Sequence, residues 1–100
     1  MNNSKNKFNH SQQVTKEIPS IVVTNLQEII KERGVHKNIE TNMLLQEDLG
    51  LTSLDMISLI TELCDQLEVD ITLLSDVDLA RMRIVEDIIT ILISKKTRNH

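Results

Sequence analysis

One hundred residues at 40% hydrophobic and 26% charged are enough for a single small domain that folds without metals or disulfides, and Cys64 has no second cysteine to pair with. One Phe, no Trp and no Tyr leave the core to Ile, Leu, Val and Met, and exclude an aromatic platform for nucleic-acid bases. The net charge is −4, and two Gly and one Pro are too few turn residues for a many-stranded sheet, so the composition points to an all-α chain.

Residues 1–17 are dominated by Asn, Ser, Gln and Lys, and Phe8 and Val14 are too isolated to make a packed face, so a disordered polar tail is expected there. The folded domain is then expected over residues 18–95, with residues 96–100 a second disordered end. The first helix is expected to start near Pro19, whose missing N–H does no harm in a first turn. Val22, Leu26, Ile29, Ile30 and Arg33 share one helical face, and Gly34 is placed to cap the end in a left-handed conformation. A long connection leads on to Gly50, with Leu44 and Leu45 expected to fold back onto the core.

The second helix has the clearest start signal. Thr52 and Asp55 have capping-box spacing, which puts Ser53 in the first turn. Met56, Ile60, Leu63 and Leu67 form its apolar stripe and Ile57 widens it. Ser75 and Asp78 repeat the spacing before a short third helix containing Leu79. Val85, Ile88, Ile89 and Leu92 mark the last helix, with Lys95, Lys96 and Arg98 suited to its C-terminal end. The expectation is three long helices plus a short third one, with a long first loop.

Charge is unevenly placed. Between Asn38 and Ala80 there is no Lys, Arg or His, and that span carries ten acids. Such a block repels nucleic acid and anionic membranes and attracts basic protein surfaces. A DNA-binding regulator is therefore disfavoured, since the Lys and Arg residues lie only before Asn38, at the Arg81/Arg83 pair and at the C-terminal end. No apolar run has the length needed to span a bilayer, and no charged segment leading into an apolar one opens the chain, so a cytoplasmic location is expected. His10, His36 and His100 lack metal-ligand spacing, and no metal site is expected. No phosphate loop, zincin motif or nucleophile elbow is present, so the chain is read as non-catalytic.

The stretch Glu47-Asp48-Leu49-Gly50-Leu51-Thr52-Ser53-Leu54-Asp55-Met56 resembles the attachment motif of acyl carrier proteins, matching at Asp48, Leu49, Gly50, Ser53, Leu54 and Asp55. The resemblance continues through Ile57, Leu59, Leu63 and Leu67. It resumes from Asp78 to Ile88 and spans roughly Ser20 to Ile93. It implies a four-helix bundle of the acyl-carrier type, monomeric, with Ser53 carrying a covalent 4'-phosphopantetheine. A phosphopantetheinyl transferase would install that group from coenzyme A. Thioester-linked acyl intermediates would then be presented to acyl-transferring and condensing enzymes through their basic docking patches. The pathway implied is fatty-acid, polyketide or related secondary-metabolite biosynthesis. A peptidyl or aminoacyl carrier, or a carrier-like scaffold that is never modified, are the alternatives.

Leu54, Asp55, Met56, Ile57, Glu62 and Asp65 are the residues expected to meet partners. Ile57, Ile60, Leu63, Ile71, Leu79, Val85 and Ile88 are expected to line the bundle interior, where the resemblance places an acyl pocket. Thr52 departs from the family, which has Asp before the serine. Ser58 and Cys64 stand where fatty-acid carriers are often acidic, which points towards a specialised pathway.

Overall fold

The computed structural model describes the backbone over residues 3–98 and side chains over residues 15–97. It has four α-helices: α1 (Asn3–Lys31), α2 (Ser53–Leu67), α3 (Asp76–Ala80) and α4 (Val85–Arg98). A single turn of tighter helix, Ile71–Leu73, lies between α2 and α3. Among the described residues there is no sheet, only an isolated antiparallel bridge between Leu44 and Ile84.

The α1 helix packs against α4 and α2. Its face is Ile18, Val22, Leu26 and Ile30, spaced by four and all buried, as the periodicity predicts. Leu59, Ile60, Leu63 and Leu67 of α2 and Val85, Ile88, Ile89 and Leu92 of α4 complete the core. Each such side chain contributes about 1.5–3 kcal/mol by leaving water. Leu45, Leu49 and Leu51 from the first connection close one end. Asn25 and Gln66, forty-one positions apart, exchange side-chain amide hydrogen bonds at 3.0 and 3.2 Å and tie α1 to α2.

Several expectations need correction. The first helix begins at Asn3, not near Pro19, and runs unbroken through that proline. Residues 3–17 are therefore helical where a disordered tail is expected. They contain no Gly or Pro to stop a helix. Pro19 does remove one N–H from the ladder, but the buried side chains of Ile18 and Val22 hold both flanks against the core. At the other end α4 continues to Arg98, so residues 96–98 are helical too; Met1, Asn2, Asn99 and His100 lie outside the described residues.

Three apolar residues assigned to the interior are exposed instead: Ile57 at 58%, Ile71 at 44% and Leu79 at 38%. Ile57 sits about a third of a turn around α2 from Leu63, at the centre of the buried stripe. Ile71 and Leu79 belong to the tight turn and to α3, elements too short to present an inner face; neither buries any residue. Ile60, Leu63, Val85 and Ile88 are buried as expected.

The turn chemistry matches the sequence closely. Gly34 ends α1 at φ +79°, and Ser75 with Asp78 forms a reciprocal capping box at the start of α3. The basic end of α4 is used for more than its dipole. Lys95 pairs with Asp78 at 3.1 Å, and Lys96 Nζ donates to the carbonyl of Leu67 at 2.8 Å. One helix end thus holds α3 in place and caps the close of α2.

Candidate functional site

The loop before α2 is fixed at several points, and that fixes Ser53. Leu45 N–H donates to the Arg83 carbonyl at 2.9 Å, and Leu44 N–H donates to Asp48 Oδ2 at 2.8 Å. Leu49 and Leu51 are buried on either side of Gly50. Gly50 itself adopts φ +72° with open space where a Cβ would stand. A side chain there meets no clash but does meet the left-handed backbone cost. Gly50→Ala is expected to lower stability by about 1 kcal/mol, read as a lower midpoint in thermal or urea unfolding.

At the helix start Thr52 Oγ1 accepts from Asp55 N–H at 3.1 Å, and Asp55 Oδ2 accepts from Thr52 N–H at 2.8 Å. This is the capping box expected from the sequence. Asp55 is held further by Arg33, whose guanidinium reaches its Oδ1 at 2.5 Å and the carbonyl of Gly50 at 3.4 Å. Arg33 and the Thr52 N–H together pull the Asp55 carboxyl down to about 2.

Both carboxylate oxygens are therefore engaged inside the protein, where Asp55 caps and positions the start of α2. Nothing in the spacing of charges along either helix signals the Arg33–Asp55 contact, because the two residues meet across the long first connection.

Ser53 opens α2. Its side chain is exposed, and its hydroxyl makes no hydrogen bond to another described residue. The N–H groups of Ser53 and Leu54 have no preceding helix carbonyl to reach, so they and the helix dipole favour negative charge here. Beside Ser53 lies a cleft of about 470 Å³, with Leu44, Met56, Ile57, Leu79 and Met82 as its apolar wall. Gln46, Glu47 and Arg83 supply polar lining. The cleft is where Ile57 and Leu79 go in place of the core.

Scanned against protein families, curated proteins and solved structures, the chain matches none.

Of the remaining residues expected at a partner surface, Leu54 is 73% exposed and Ile57, Glu62 and Asp65 also face solvent, while Met56 is half-buried against the core. Glu62 Oε2 accepts from Gln66 Nε2 at 3.0 Å. Ile71 lies outside the cleft lining, and Ile60, Leu63, Val85 and Ile88 belong to the packed core. The residues missed by sequence reasoning are Leu44, Gln46, Glu47, Met82 and Arg83 of the cleft, together with Arg33. The Leu44–Ile84 bridge gathers most of them, and pairing between two irregular segments leaves no periodic trace in the sequence.

Cys64 is buried, and desolvation first, then the Asp70 charge, pushes its thiol up from the ordinary range. Among the described residues no three His, Cys, Asp or Glu side chains gather as a metal site, and no helix is long and apolar enough to cross a membrane.

Proposed function

We propose that the chain is an acyl carrier protein of the four-helix type, with Ser53 as the attachment point for a phosphopantetheine arm. One observation carries this reading: a free, exposed serine hydroxyl at the start of a long helix, opening on an apolar-walled cleft. In the modification step a bond forms from Ser53 Oγ to the pantetheine-side phosphorus of coenzyme A's pyrophosphate. The pyrophosphate link breaks, adenosine bisphosphate leaves, and the serine proton passes to the transferase.

The residues present fit such a group. The α2 N-terminus stabilises a phosphodiester at Ser53, and Met56, Ile57, Leu79 and Met82 offer apolar contact to the carbon chain beyond the phosphate. When bound, the arm supplies a thiol that holds an acyl group as a thioester. The chain's own part is to hold Ser53 still. Thr52, Asp55 and Arg33 fix the first turn, and the buried leucines of the loop fix the approach to it.

Thr52 bears on the alternative of a scaffold that is never modified. Its hydroxyl makes the cap that an aspartate would make there, so the departure from the family pattern changes charge and leaves the geometry intact. This favours the carrier over the scaffold. Partner enzymes would meet Leu54 and Ile57 by apolar contact and Glu62 and Asp65 by charge, with Asp55 neutralised from within. Dependence on coenzyme A and a transferase goes with a cytoplasmic carrier.

Intact-mass measurement after incubation with coenzyme A and a broad-specificity phosphopantetheinyl transferase tests the reading. One added phosphopantetheine is expected on the native chain and none on Ser53→Ala. A folded native chain that stays unmodified, with transferases of several specificities, would sink the proposal.

A further inference from the structure

The cations that brace this bundle are committed: Arg33 to Asp55, Lys37 to the Asp48 carbonyl, Lys95 to Asp78 and Lys96 to the Leu67 carbonyl. Arg83 is not. It lines the same cleft as Ser53, and its guanidinium makes no hydrogen bond or ion pair with a described residue. Its backbone, by contrast, is held on both sides. The N–H donates to Asp87 Oδ2 at 2.9 Å and the carbonyl accepts from Leu45 N–H at 2.9 Å. The next residue, Ile84, bridges to Leu44, another lining residue. A fixed segment therefore presents a fully available charge to the space beside the serine.

Resting on the carrier reading, we infer that Arg83 binds an anionic group brought to the cleft on Ser53, either the phosphodiester of the arm or a carboxylate at the far end of its acyl cargo. The planar fork of a guanidinium matches the paired oxygens of either group, and a charged donor makes such hydrogen bonds shorter and stronger than neutral ones. The apolar wall takes the carbon chain, so the favoured cargo in the second case is an acyl group with an acidic end. Glu47 lines the cleft as well and has no cationic partner among the described residues. It repels the same anion, so changes at positions 47 and 83 act with opposite sign. Added salt weakens both effects, since the site is open to solvent.

The test loads the full-length chain from coenzyme A, hexanoyl-coenzyme A and glutaryl-coenzyme A, with intact mass confirming each product. The side-chain Nε–H signal of Arg83 is then tracked by NMR and assigned by its loss in Arg83→Gln. If the phosphodiester is the ligand, the signal moves by the same amount in all three loaded forms relative to the unmodified chain. The phosphorus resonance then also differs between native and Arg83→Gln protein. If the cargo carboxylate is the ligand, only the glutaryl form moves it, and that carboxylate titrates at lower pH in the native chain than in Arg83→Gln. Glu47→Gln enlarges the response in either case. A chain that loads normally but leaves the Arg83 signal unmoved in every form overturns the inference alone. A chain that never gains mass overturns the carrier reading and this inference with it.

Discussion

Leu63→Ala is expected to cost about 3 kcal/mol, while Ile57→Ala, less than two turns away on the same helix, stays within about 0.5 kcal/mol of the parent. Leu63 has no exposed surface and lies where α2 meets the core. Truncating it removes transfer free energy and leaves a cavity that α1 and α4, packed by their own leucines and isoleucines, cannot close. For a domain of this size the loss corresponds to a fall in melting temperature of roughly 15 °C. Ile57 is mostly in water and loses little. On the carrier proposal, its removal should instead show in the cleft, as weaker protection of an attached apolar chain. Thermal unfolding of the two variants side by side checks the contrast. Equal losses would mean that Ile57 is packed after all.

Acid is expected to destabilise the fold progressively between about pH 4 and pH 2, and Asp55→Asn should remove much of that dependence. The Asp55 carboxyl is drawn down to about 2 by Arg33 and the Thr52 N–H, against about 3.9 for a free aspartate. A group depressed in the folded state adds stability that is complete above its unfolded pKa and is lost as pH falls through its folded value. Asp70, lowered by Thr72, and Asp78, lowered by the Ser75 backbone N–H and Lys95, act in the same direction. The slope therefore shrinks in Asp55→Asn without vanishing. Melting temperatures at half-unit steps of pH, with Arg33→Gln as a companion, measure it. Identical slopes in parent and both variants would show that the Arg33–Asp55 contact is not maintained in solution.

The sequence revealed whatever is written locally. The four-residue spacing of Val22, Leu26 and Ile30, the capping pairs at Thr52/Asp55 and Ser75/Asp78, and the left-handed glycine at 34 are each decided within a turn or two. The run of α1 through Pro19 was hidden because proline at a first turn is the cheaper arrangement when only local terms are weighed. Tertiary burial of Ile18 shifts that balance. Hydrophobicity alone could not divide Ile57 and Leu79, which wall the cleft, from Ile60 and Leu63, which fill the core. That division depends on where the loop carrying Leu44 and the segment carrying Arg83 come to rest. The serine was legible as a helix-start residue with a cap around it. The arginine that steadies the cap and the one that faces the cleft were not, since each meets the site across a connection.

Buried and held in its protonated form, Cys64 should react with thiol reagents only when the bundle opens. If Ser53 carries the proposed arm, a native chain would show no fast-reacting sulfhydryl before modification and a single one after it. Unfolding in denaturant would release Cys64 itself as a built-in count of one per chain. Attachment, acyl loading of the arm and unfolding could thus be monitored colorimetrically in one cuvette, with the molecule calibrating its own stoichiometry.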